Sequence, residues 1–403
     1  MCSSVLLGPV LDFGAMALTG VFQKDGKSVP HAPLVLCRCQ SCGLLQLGHS
    51  YSMDFLYGDT YGYESHLNSS MVGHLTRKAA TLEKNFLDPK KKHVVVDIAS
   101  NDGTLLSGYS NPSITRVGID PLINVVSDHY PTGSIKIIDF FSAVNYWSEV
   151  EQPASLVTSL SVLYDLDNPI QFAKDVYEIL NSEGIWHFEQ SYAPTMFDTM
   201  SYDTVCHEHL LYLSLHDIDF LMKESGFQIL NATLNSINGG SIAITAIKSK
   251  KKIERHPFVD YLLDKEKLDG TRDGKRAVNF AEDAHKHRLE LQNLLIAYKN
   301  QGFTIKALGA STKGNVILQW LGIDSNIIEC IGDVNPRKFG TSTPGSHIKI
   351  VPESEIMQNV TPKELVMVLP WHFRDGIIIR SQDLLGKGVQ LLFPLPRIEV
   401  VSV

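Results

Sequence analysis

The sequence lacks the features that would place the protein in a membrane or on nucleic acid. No apolar run in its 403 residues approaches the roughly 20 residues that a membrane span needs. Asp12 interrupts the one apolar stretch near the start, so we expect no signal peptide. Lys and Arg number 36 against 44 Asp and Glu, and the net charge of −8 argues against nucleic acid as the main partner. These absences predict a cytoplasmic protein with neither a membrane nor nucleic acid as partner.

The sequence also lacks a complete dinucleotide-binding loop, G-x-G-x-x-G, in which glycines let the backbone approach a pyrophosphate. Residues 94–96 are valines that lead into a polar turn, where Ala99 and Asn101 stand at the first two glycine positions and Asp102 would repel a phosphate. This absence argues against a nicotinamide-dependent oxidoreductase. An acidic, amide-bearing loop suits a ligand with an ammonium group and no phosphate, such as S-adenosylmethionine; the alternative is a turn that binds nothing. The candidate cofactor-binding residues of this loop are Asp97, Ala99, Asn101, Asp102 and Gly103.

Strand and helix patterns alternate after this loop, and the strands end in residues suited to a nucleoside. A second strand ends at Asp120, at the spacing of the acid that holds ribose hydroxyls, although Asp120 can also cap the next helix. A third strand, residues 136–141, would bring Asp139 and Phe140 to the edge of an adenine ring. A fourth strand contains Ser159 and ends beside the first loop. This alternation predicts an α/β fold with a Rossmann-like central domain of the class I methyltransferase type.

Cysteine is scarce, and four of the six cysteines fall within the first 42 positions. Cys39 and Cys42 form a C-x-x-C knuckle, which places two thiolates on one tetrahedral zinc ion. Cys2 is the candidate third ligand. The fourth ligand would lie before position 1, or would be Cys37 or His31; the alternative is a group of buried thiols without zinc. The pattern predicts a small zinc-binding N-terminal domain.

A polar loop after the fifth predicted strand contains the best candidate for chemistry, His207-Glu208-His209. The histidines are two residues apart, so they do not form the helical pair of an H-E-x-x-H metalloprotease. Two imidazoles that flank a carboxylate can supply a general base and a neighbour that orients it. The alternatives are a structural role and incidental metal binding.

The last hundred residues restart the α/β alternation after a charged helical segment. Lys313 and Asn315 lie where a loop opens a helix, so free N–H groups and the lysine would form an anion site. We therefore predict three domains. They are a zinc-binding domain (residues 1–68), an S-adenosylmethionine-binding methyltransferase domain (69–252), and a Rossmann-like substrate-binding domain with linker helices (253–403).

These motifs, in this order, resemble the sugar C-methyltransferases of deoxysugar biosynthesis, which combine the same three kinds of domain. The resemblance covers essentially the whole chain. It rests on the stretches Cys39-Gln-Ser-Cys42-Gly-Leu-Leu-Gln, Tyr61-Gly-Tyr63-Glu-Ser65, Asp97-Ile-Ala-Ser-Asn101-Asp102-Gly103-Thr, His207-Glu208-His209, Gly309-Ala-Ser-Thr-Lys313-Gly314-Asn315, Asn335-Pro336-Arg-Lys338-Phe-Gly340 with Thr343-Pro344-Gly345, and Leu369-Pro370-Trp371-His372-Phe373.

The resemblance implies methylation of a carbon beside the ketone of a nucleotide-linked 4-keto-deoxyhexose. His209 matches the residue proposed as the base that removes the carbon-bound proton, and Glu208 and His207 would orient it or hold the substrate. Tyr63, or else Tyr61, matches the family's active-site tyrosine. The C-terminal domain would help to hold the nucleotide diphosphate. The implied substrate-binding residues are Cys206, Lys313, Asn315, Asn335, Lys338, Trp371 and His372.

The chain departs from the pattern of that family at three places. Cys206 stands where a tyrosine precedes His-Glu-His, and residues 159–165 lack the histidine of the family's loop after the fourth strand. The first zinc cysteine is also missing. The first two departures keep O-methylation of a sugar or related metabolite as the alternative to C-methylation.

Overall fold

The computed structural model describes residues 1–22, 29–51, 63–126, 128–358 and 360–402. Its strands form three sheets, which follow one another along the chain except at one short strand. None of the helices in these ranges combines the length and apolar character that a bilayer crossing requires.

The N-terminal sheet is antiparallel and includes one strand from far downstream. Its strands β1 (Leu7–Ala17), β2 (His31–Cys39) and β3 (Leu45–Leu47) are consecutive in the sequence. The fourth strand, β9 (Leu211–Tyr212), pairs with β3 and follows His209 by two residues. The sequence did not predict β9, because two residues are too few to show a hydrophobic period.

The central sheet has the order β10-β11-β8-β7-β4-β5-β6. The strands from β8 to β6 are parallel, and β11 lies antiparallel between β8 and β10. The chain order reverses between β4 and β7, and in such sheets ligands bind at the carboxyl ends of the strands beside this reversal. The strands are β4 (His93–Ile98), β5 (Ile114–Ile119), β6 (Ile135–Ile137), β7 (Ala154–Leu160), β8 (Leu180–Ser191), β10 (Gln228–Asn235) and β11 (Ser241–Ile247).

The predicted third strand is shorter than expected. It ends at Ile137, so Asp139 and Phe140 lie in the loop beyond it. Its neighbour β5 pairs with it only as far as Ile119, and the chain then turns at Asp120 and Pro121. Because β6 is an edge strand, no other neighbour of the central sheet can extend it.

Helices cover the central sheet. Helix α1 (Ser69–Phe86) buries an apolar stripe of Met71, Leu75, Ala79 and Leu82, which are spaced three or four residues apart. Asn68 caps its N-terminus, accepting hydrogen bonds from the backbone of the first turn. The other helices of this part are α2 (Thr104–Ser107), α3 (Ala143–Glu149), α4 (Pro169–Ile179), α5 (Ala193–Asp198) and α6 (Leu215–Ser225).

Two linker helices, α7 (Pro257–Leu268) and α8 (Lys275–Asn300), lead to the C-terminal sheet. That sheet has the order β14-β13-β12-β15-β16-β17 and is parallel except for β17. Its strands are β12 (Thr304–Leu308), β13 (Cys330–Asp333), β14 (Lys349–Pro352), β15 (Glu364–Val368), β16 (Gln390–Phe393) and β17 (Glu399–Val401). Its helices are α9 (Thr312–Leu321), α10 (Glu353–Gln358), α11 (Arg374–Arg380) and α12 (Gln382–Gly386).

One continuous cluster of buried apolar side chains connects the three sheets. It contains Leu36 of the N-terminal sheet, Val157 of the central sheet and Ile331 of the C-terminal sheet. A second cluster fills the space between α1, α2 and the central sheet. The sheets are therefore joined through apolar packing as well as through the chain.

Candidate active site

A cavity of about 490 Å³ lies at the carboxyl ends of the central strands. This volume is in the range of small-molecule sites, roughly 300–1,000 Å³. Gly20 and Phe22 line it from the N-terminal part, and Lys313 and His372 from the C-terminal part. All three parts of the chain therefore contribute to one cavity.

The loop after β4 reaches the cavity through an unusual backbone conformation. Ala99 and Asn101 both adopt left-handed conformations, with φ of 55° and 49°. Such conformations cost about 1–2 kcal/mol per non-glycine residue and occur preferentially at functional sites. The Ala99 N–H donates to the carbonyl of Ile119 at 2.8 Å, and the Asn101 N–H donates to Asp120 Oδ2 at 2.9 Å. These two hydrogen bonds attach the loop to the end of β5.

The carboxyl groups of Asp97 and Asp120 line this part of the cavity. Burial, together with the nearby acids Asp120 and Asp102, raises the pKa of Asp97 to about 7. Asp120 accepts backbone N–H groups from Asn101 and Leu122, one on each carboxylate oxygen, and lines the cavity. A carboxylate has further lone pairs, which can accept ribose hydroxyls. Asp139 and the half-exposed ring of Phe140 also line the cavity, as predicted for the adenine edge.

Three of the predicted cofactor-binding residues do not line the cavity. The carboxylate of Asp102 is fully buried and binds His66 and Thr104 instead. Gly103 allows a close contact, since a Cβ atom there would lie 2.6 Å from Cγ of Tyr130. The Ser159 hydroxyl accepts a hydrogen bond from the indole of Trp186 at 3.0 Å. Their role in cofactor binding stays a prediction, because membership of a loop does not say which way a side chain points.

His209 lines the cavity and has one ring nitrogen committed to the backbone. Its Nδ1 lies 2.8 Å from the carbonyl oxygen of Thr204. A carbonyl only accepts, so Nδ1 carries the hydrogen and Nε2 keeps a lone pair. Burial and the charge of Lys313 lower the pKa of His209 to about 3, so the ring is neutral. The ring of Tyr164 packs against it at 4.3 Å between centroids. His209 can therefore accept a proton at Nε2.

Glu208 also lines the cavity, whereas His207 lies behind it. The Thr19 hydroxyl donates to Glu208 Oε2 at 3.2 Å, and His207 contacts the same hydroxyl and the carbonyl of Ala32. Burial raises the pKa of Glu208. Burial also lowers the pKa of His207, to about 4. Of the three predicted residues, Glu208 and His209 therefore lie at the cavity, and His207 lies at the contact with the N-terminal part.

Tyr63 lines the cavity, with 44% of its surface exposed. Its backbone carbonyl accepts a hydrogen bond from Asn101 Nδ2 at 3.1 Å, which links it to the cofactor loop. The alternative tyrosine, Tyr61, lies outside the described residues.

The predicted substrate-binding residues separate into cavity-lining residues and structural ones. Those that line the cavity are Lys313, Lys338 and His372. The others are buried away from it, where the Asn315 amide donates to the carbonyl of Thr19, the Asn335 side chain caps a turn, and the Trp371 indole donates to Asp203. Cys206 is fully buried and does not line the cavity. These four side chains do not line the cavity, and a role for Asn315, Asn335, Trp371 and Cys206 in substrate binding stays a prediction.

Sequence reasoning missed Glu189 and His74, which both line the cavity. Glu189 accepts hydrogen bonds from His74 at 2.7 Å and from Asn235 at 2.8 Å, and it pairs with Lys78 at 2.8 Å. Burial opposes its ionisation, but these partners lower the pKa of Glu189 to about 2. The rule that identified Asp120, an acid at the carboxyl end of a strand, applies to Glu189 too. Tyr164 and Asp165, in the loop that lacks the family's histidine, also line the cavity.

The predicted zinc ligands come together at the N-terminal sheet. Sulfur atoms of Cys2, Cys39 and Cys42 lie within 4.8 Å of one another, and those of Cys2 and Cys39 are 3.6 Å apart. This arrangement suits a tetrahedral zinc ion bound by thiolates. Neither Cys37 nor His31 belongs to the group found among the described residues.

Comparisons with known proteins agree with this architecture. Residues 1–57 match a family model for a proposed zinc binding domain, residues 71–232 one for a methyltransferase domain, and residues 236–396 one for a C-methyltransferase C-terminal domain. The C-methyltransferase NovU of Streptomyces niveus is 26% identical over 403 residues, which span 98% of this chain and 94% of NovU. The chain is an S-adenosylmethionine-dependent methyltransferase.

The resemblance to the C-methyltransferases, the α/β fold class and the S-adenosylmethionine cofactor are thereby confirmed. Solved structures of methyltransferases align with part of the chain. The alignment with the carbon methyltransferase CurJ covers 46% of this chain and 57% of the CurJ chain, at 14% identity and a TM-score of 0.36. The alignment with the magnesium protoporphyrin IX methyltransferase of Synechocystis PCC 6803 covers 46% of this chain and 80% of that enzyme's chain, at 12% identity and a TM-score of 0.31.

Proposed function

We propose that this methyltransferase acts on a nucleotide-linked 4-keto-deoxysugar and methylates a carbon beside the ketone. The observation that supports this most is His209, whose Nδ1–H donates to the Thr204 carbonyl at 2.8 Å, whose Nε2 has no hydrogen-bond partner among the described residues, and whose ring lines the cavity. A carbon beside a ketone becomes a nucleophile only after it loses a proton, so the reaction needs a base of this kind.

The residues at the carboxyl ends of β4, β5 and β6 fit S-adenosylmethionine. Asp120 would hold the ribose, Phe140 and Asp139 would flank the adenine, and Asp97 would compensate positive charge. When bound, this cofactor supplies an electrophilic methyl group on a sulfonium, which the deprotonated carbon of the substrate takes. The chain contributes alignment of the two reactants and exclusion of water from the cavity.

Each proposed group has a stated task in this reaction. Nε2 of His209 accepts the α proton, and the Thr204 carbonyl holds the ring in the required tautomer. Glu208 lies on the same wall and would bind a sugar hydroxyl. Lys338, from the C-terminal part, would attract the diphosphate. The nucleotide-sugar substrate thus spans the central and C-terminal parts of the cavity.

The test is incubation with S-adenosylmethionine carrying a carbon-13 methyl group and a panel of nucleoside diphosphate 4-keto-6-deoxyhexoses, followed by NMR of the product. A methyl signal coupled to a neighbouring sugar carbon supports the proposal. A methyl group on oxygen contradicts C-methylation and supports the alternative of an O-methyltransferase. No transfer to any keto sugar contradicts the proposed substrate class.

The role of His209 is tested by His209→Ala, with His49→Ala as a control at an exposed histidine outside the cavity. Loss of a general base reduces kcat by about 10²- to 10⁴-fold. We expect this loss in His209→Ala with a nearly unchanged Kd for S-adenosylmethionine by calorimetry, and no change in His49→Ala. Full activity of His209→Ala would assign the base to another residue.

A further inference from the structure

Two lysines line the cavity from the C-terminal part, and their surroundings differ. The ammonium of Lys338 donates to the carbonyl of Ala310 at 2.7 Å, lies 3.5 Å from Asp333 Oδ2, and sits over the ring of Phe22. Its charge is therefore largely compensated by the protein. A compensated lysine contributes to binding an anion but has little surplus charge for chemistry.

Lys313 occupies the first turn of α9, and its ammonium donates to the carbonyl of Asn238 at 2.8 Å. Within the described ranges it has no ion pair with a carboxylate at 4.0 Å or less. An ammonium has three donors, so two N–H groups remain for a ligand. The Asn238 carbonyl fixes the position of the amine without neutralising its charge.

Lys313 is buried close to His209, His372 and the acid Asp203. Burial lowers the pKa of Lys313, and the buried carboxylate of Asp203 opposes that effect. The Trp371 indole holds Asp203 in place through a hydrogen bond of 2.9 Å. The charge of Lys313 in turn contributes to the lowered pKa values of His209 and His372, so all three groups are close.

His372 adds an independent sign of a polar ligand at this place. Its ring lines the cavity, and Nδ1 is buried without a hydrogen-bond partner in the part of the chain that the structure describes. Buried polar atoms are normally hydrogen-bonded, so an orphaned one at a cavity wall indicates that a ligand supplies the partner. The candidate base His209, an ammonium without a carboxylate ion pair among the described residues, and the unpartnered Nδ1 of His372 thus belong to one part of the molecule at the cavity.

We propose that the Lys313 ammonium is a catalytic group that hydrogen-bonds the substrate ketone oxygen and stabilises the enolate formed when His209 removes the α proton. This inference rests on the proposed function, because only a carbon acid beside a carbonyl needs both groups. It changes the role that the sequence suggested for Lys313, from an anchor of the diphosphate to an electrophile.

Proton removal involves only His209, Lys313 and the substrate. The C–H bond breaks, its proton bonds to Nε2 of His209, and its electron pair forms a carbon–carbon double bond. The ketone C=O becomes a single bond, and the oxygen takes the negative charge that the Lys313 ammonium faces. In a water-excluded cavity such a charge contact is much stronger than in water. After methyl transfer the ketone is restored, and His209 releases its proton to solvent.

The test measures proton removal without methyl transfer. Wild-type protein is incubated in heavy water with S-adenosylhomocysteine and nucleoside diphosphate 4-keto-6-deoxyhexoses, and deuterium uptake beside the ketone is followed by NMR. Removing one donor from an oxyanion site costs about 10²- to 10³-fold in rate. We expect Lys313→Met to lose exchange by this factor, Lys313→Arg to recover part of it, and the Kd of the nucleotide sugar to change less than about fivefold.

A second readout is the pH profile of exchange. Because Lys313 lowers the pKa of His209, Lys313→Met should move the acidic limb of the profile to higher pH. If the wild type exchanges and Lys313→Met exchanges equally fast, this inference alone is overturned. A large rise in the Kd of the nucleotide sugar at unchanged kcat in Lys313→Met would also overturn it, because that result assigns Lys313 to binding of the diphosphate. Absence of exchange in the wild type would overturn the proposed function and this inference together.

Discussion

His209 is oriented by a main-chain carbonyl, not by a carboxylate. The Thr204 oxygen selects the tautomer and raises the pKa of the ring, but it carries no full negative charge, and burial together with the charge of Lys313 outweighs it. With a pKa of about 3, His209 is unprotonated at any pH near neutrality. The base is therefore unprotonated but intrinsically weak. Binding of the substrate must raise the pKa of His209 or lower that of the carbon acid for proton transfer to be efficient.

This has a measurable consequence for the pH dependence of turnover. The folded-state pKa of His209 is depressed, so acidification protonates the ring only well below the ordinary histidine range. At saturating cofactor, we expect kcat/KM for the sugar to be flat between about pH 6 and pH 8. An acidic limb with a midpoint of about 6.5, which His209→Ala removes, would contradict the lowered pKa.

Asp97 should make cofactor binding depend on pH. Its pKa of about 7 means that the carboxyl is increasingly neutral as the pH falls below 7, and a neutral carboxyl no longer attracts a cation. We expect the Kd of S-adenosylmethionine to rise below pH 7, by up to about tenfold per pH unit. Calorimetry from pH 5.5 to 8.5 checks this, and Asp97→Asn should bind weakly at every pH. A Kd for the wild type that is constant over this range would contradict the prediction.

At the scale of elements, the end of β1 and the residues after it connect the base to the C-terminal part. The backbone of Ala17 exchanges two hydrogen bonds with the Gln319 side chain in α9, at 2.8 and 3.1 Å. Thr19 then donates to Glu208, and its carbonyl accepts from Asn315. This short segment therefore sets the distance between the loop that carries His209 and the helix that carries Lys313.

Gly20 shows how tightly this segment fits. A Cβ atom at Gly20 would lie 1.9 Å from Oε1 of Glu208, so one of the two must move. We expect Gly20→Ala to reduce kcat by at least about tenfold, because small misplacements of catalytic groups are costly. The control is Gly376→Ala in α11, where a Cβ meets nothing within 4 Å. Equal activity of the two variants would show that the loop adapts without loss.

The sequence predicted elements better than side-chain directions. The run of valines at residues 94–96 predicted a strand that leads into a polar turn, and the structure has β4 followed by that turn. A period says which face is buried but not which loop residue turns towards a ligand. Asp102 and Ser159 have the right chemistry, yet the hydrogen bonds that withdraw them come from His66 and Trp186, residues remote in the sequence. The pairing of β9 with β3 was not predicted either, because it also joins residues that are remote in the sequence.

For the whole molecule, the cysteine group predicts a metal-dependent N-terminal sheet. We expect about one zinc ion per chain by elemental analysis, lost in Cys39→Ser and retained in Cys37→Ala, because Cys37 lies outside the group. Chelation should lower the Tm, since zinc binding contributes free energy of folding. A folded, zinc-free protein would show that the thiols pack without metal.

The pairing of β3 with β9 has a consequence for how such enzymes recombine. Leu211 and Tyr212 complete a sheet whose other strands lie before residue 50, and they stand directly behind the loop that carries His209. A crossover at residue 68 would give a chimera in which β1 to β3 come from one parent enzyme and β9 comes from the other. Transfer of the N-terminal domain between enzymes should therefore succeed only when residues 203–212 are transferred with it, so that the N-terminal domain and the loop that carries His209 come from the same parent.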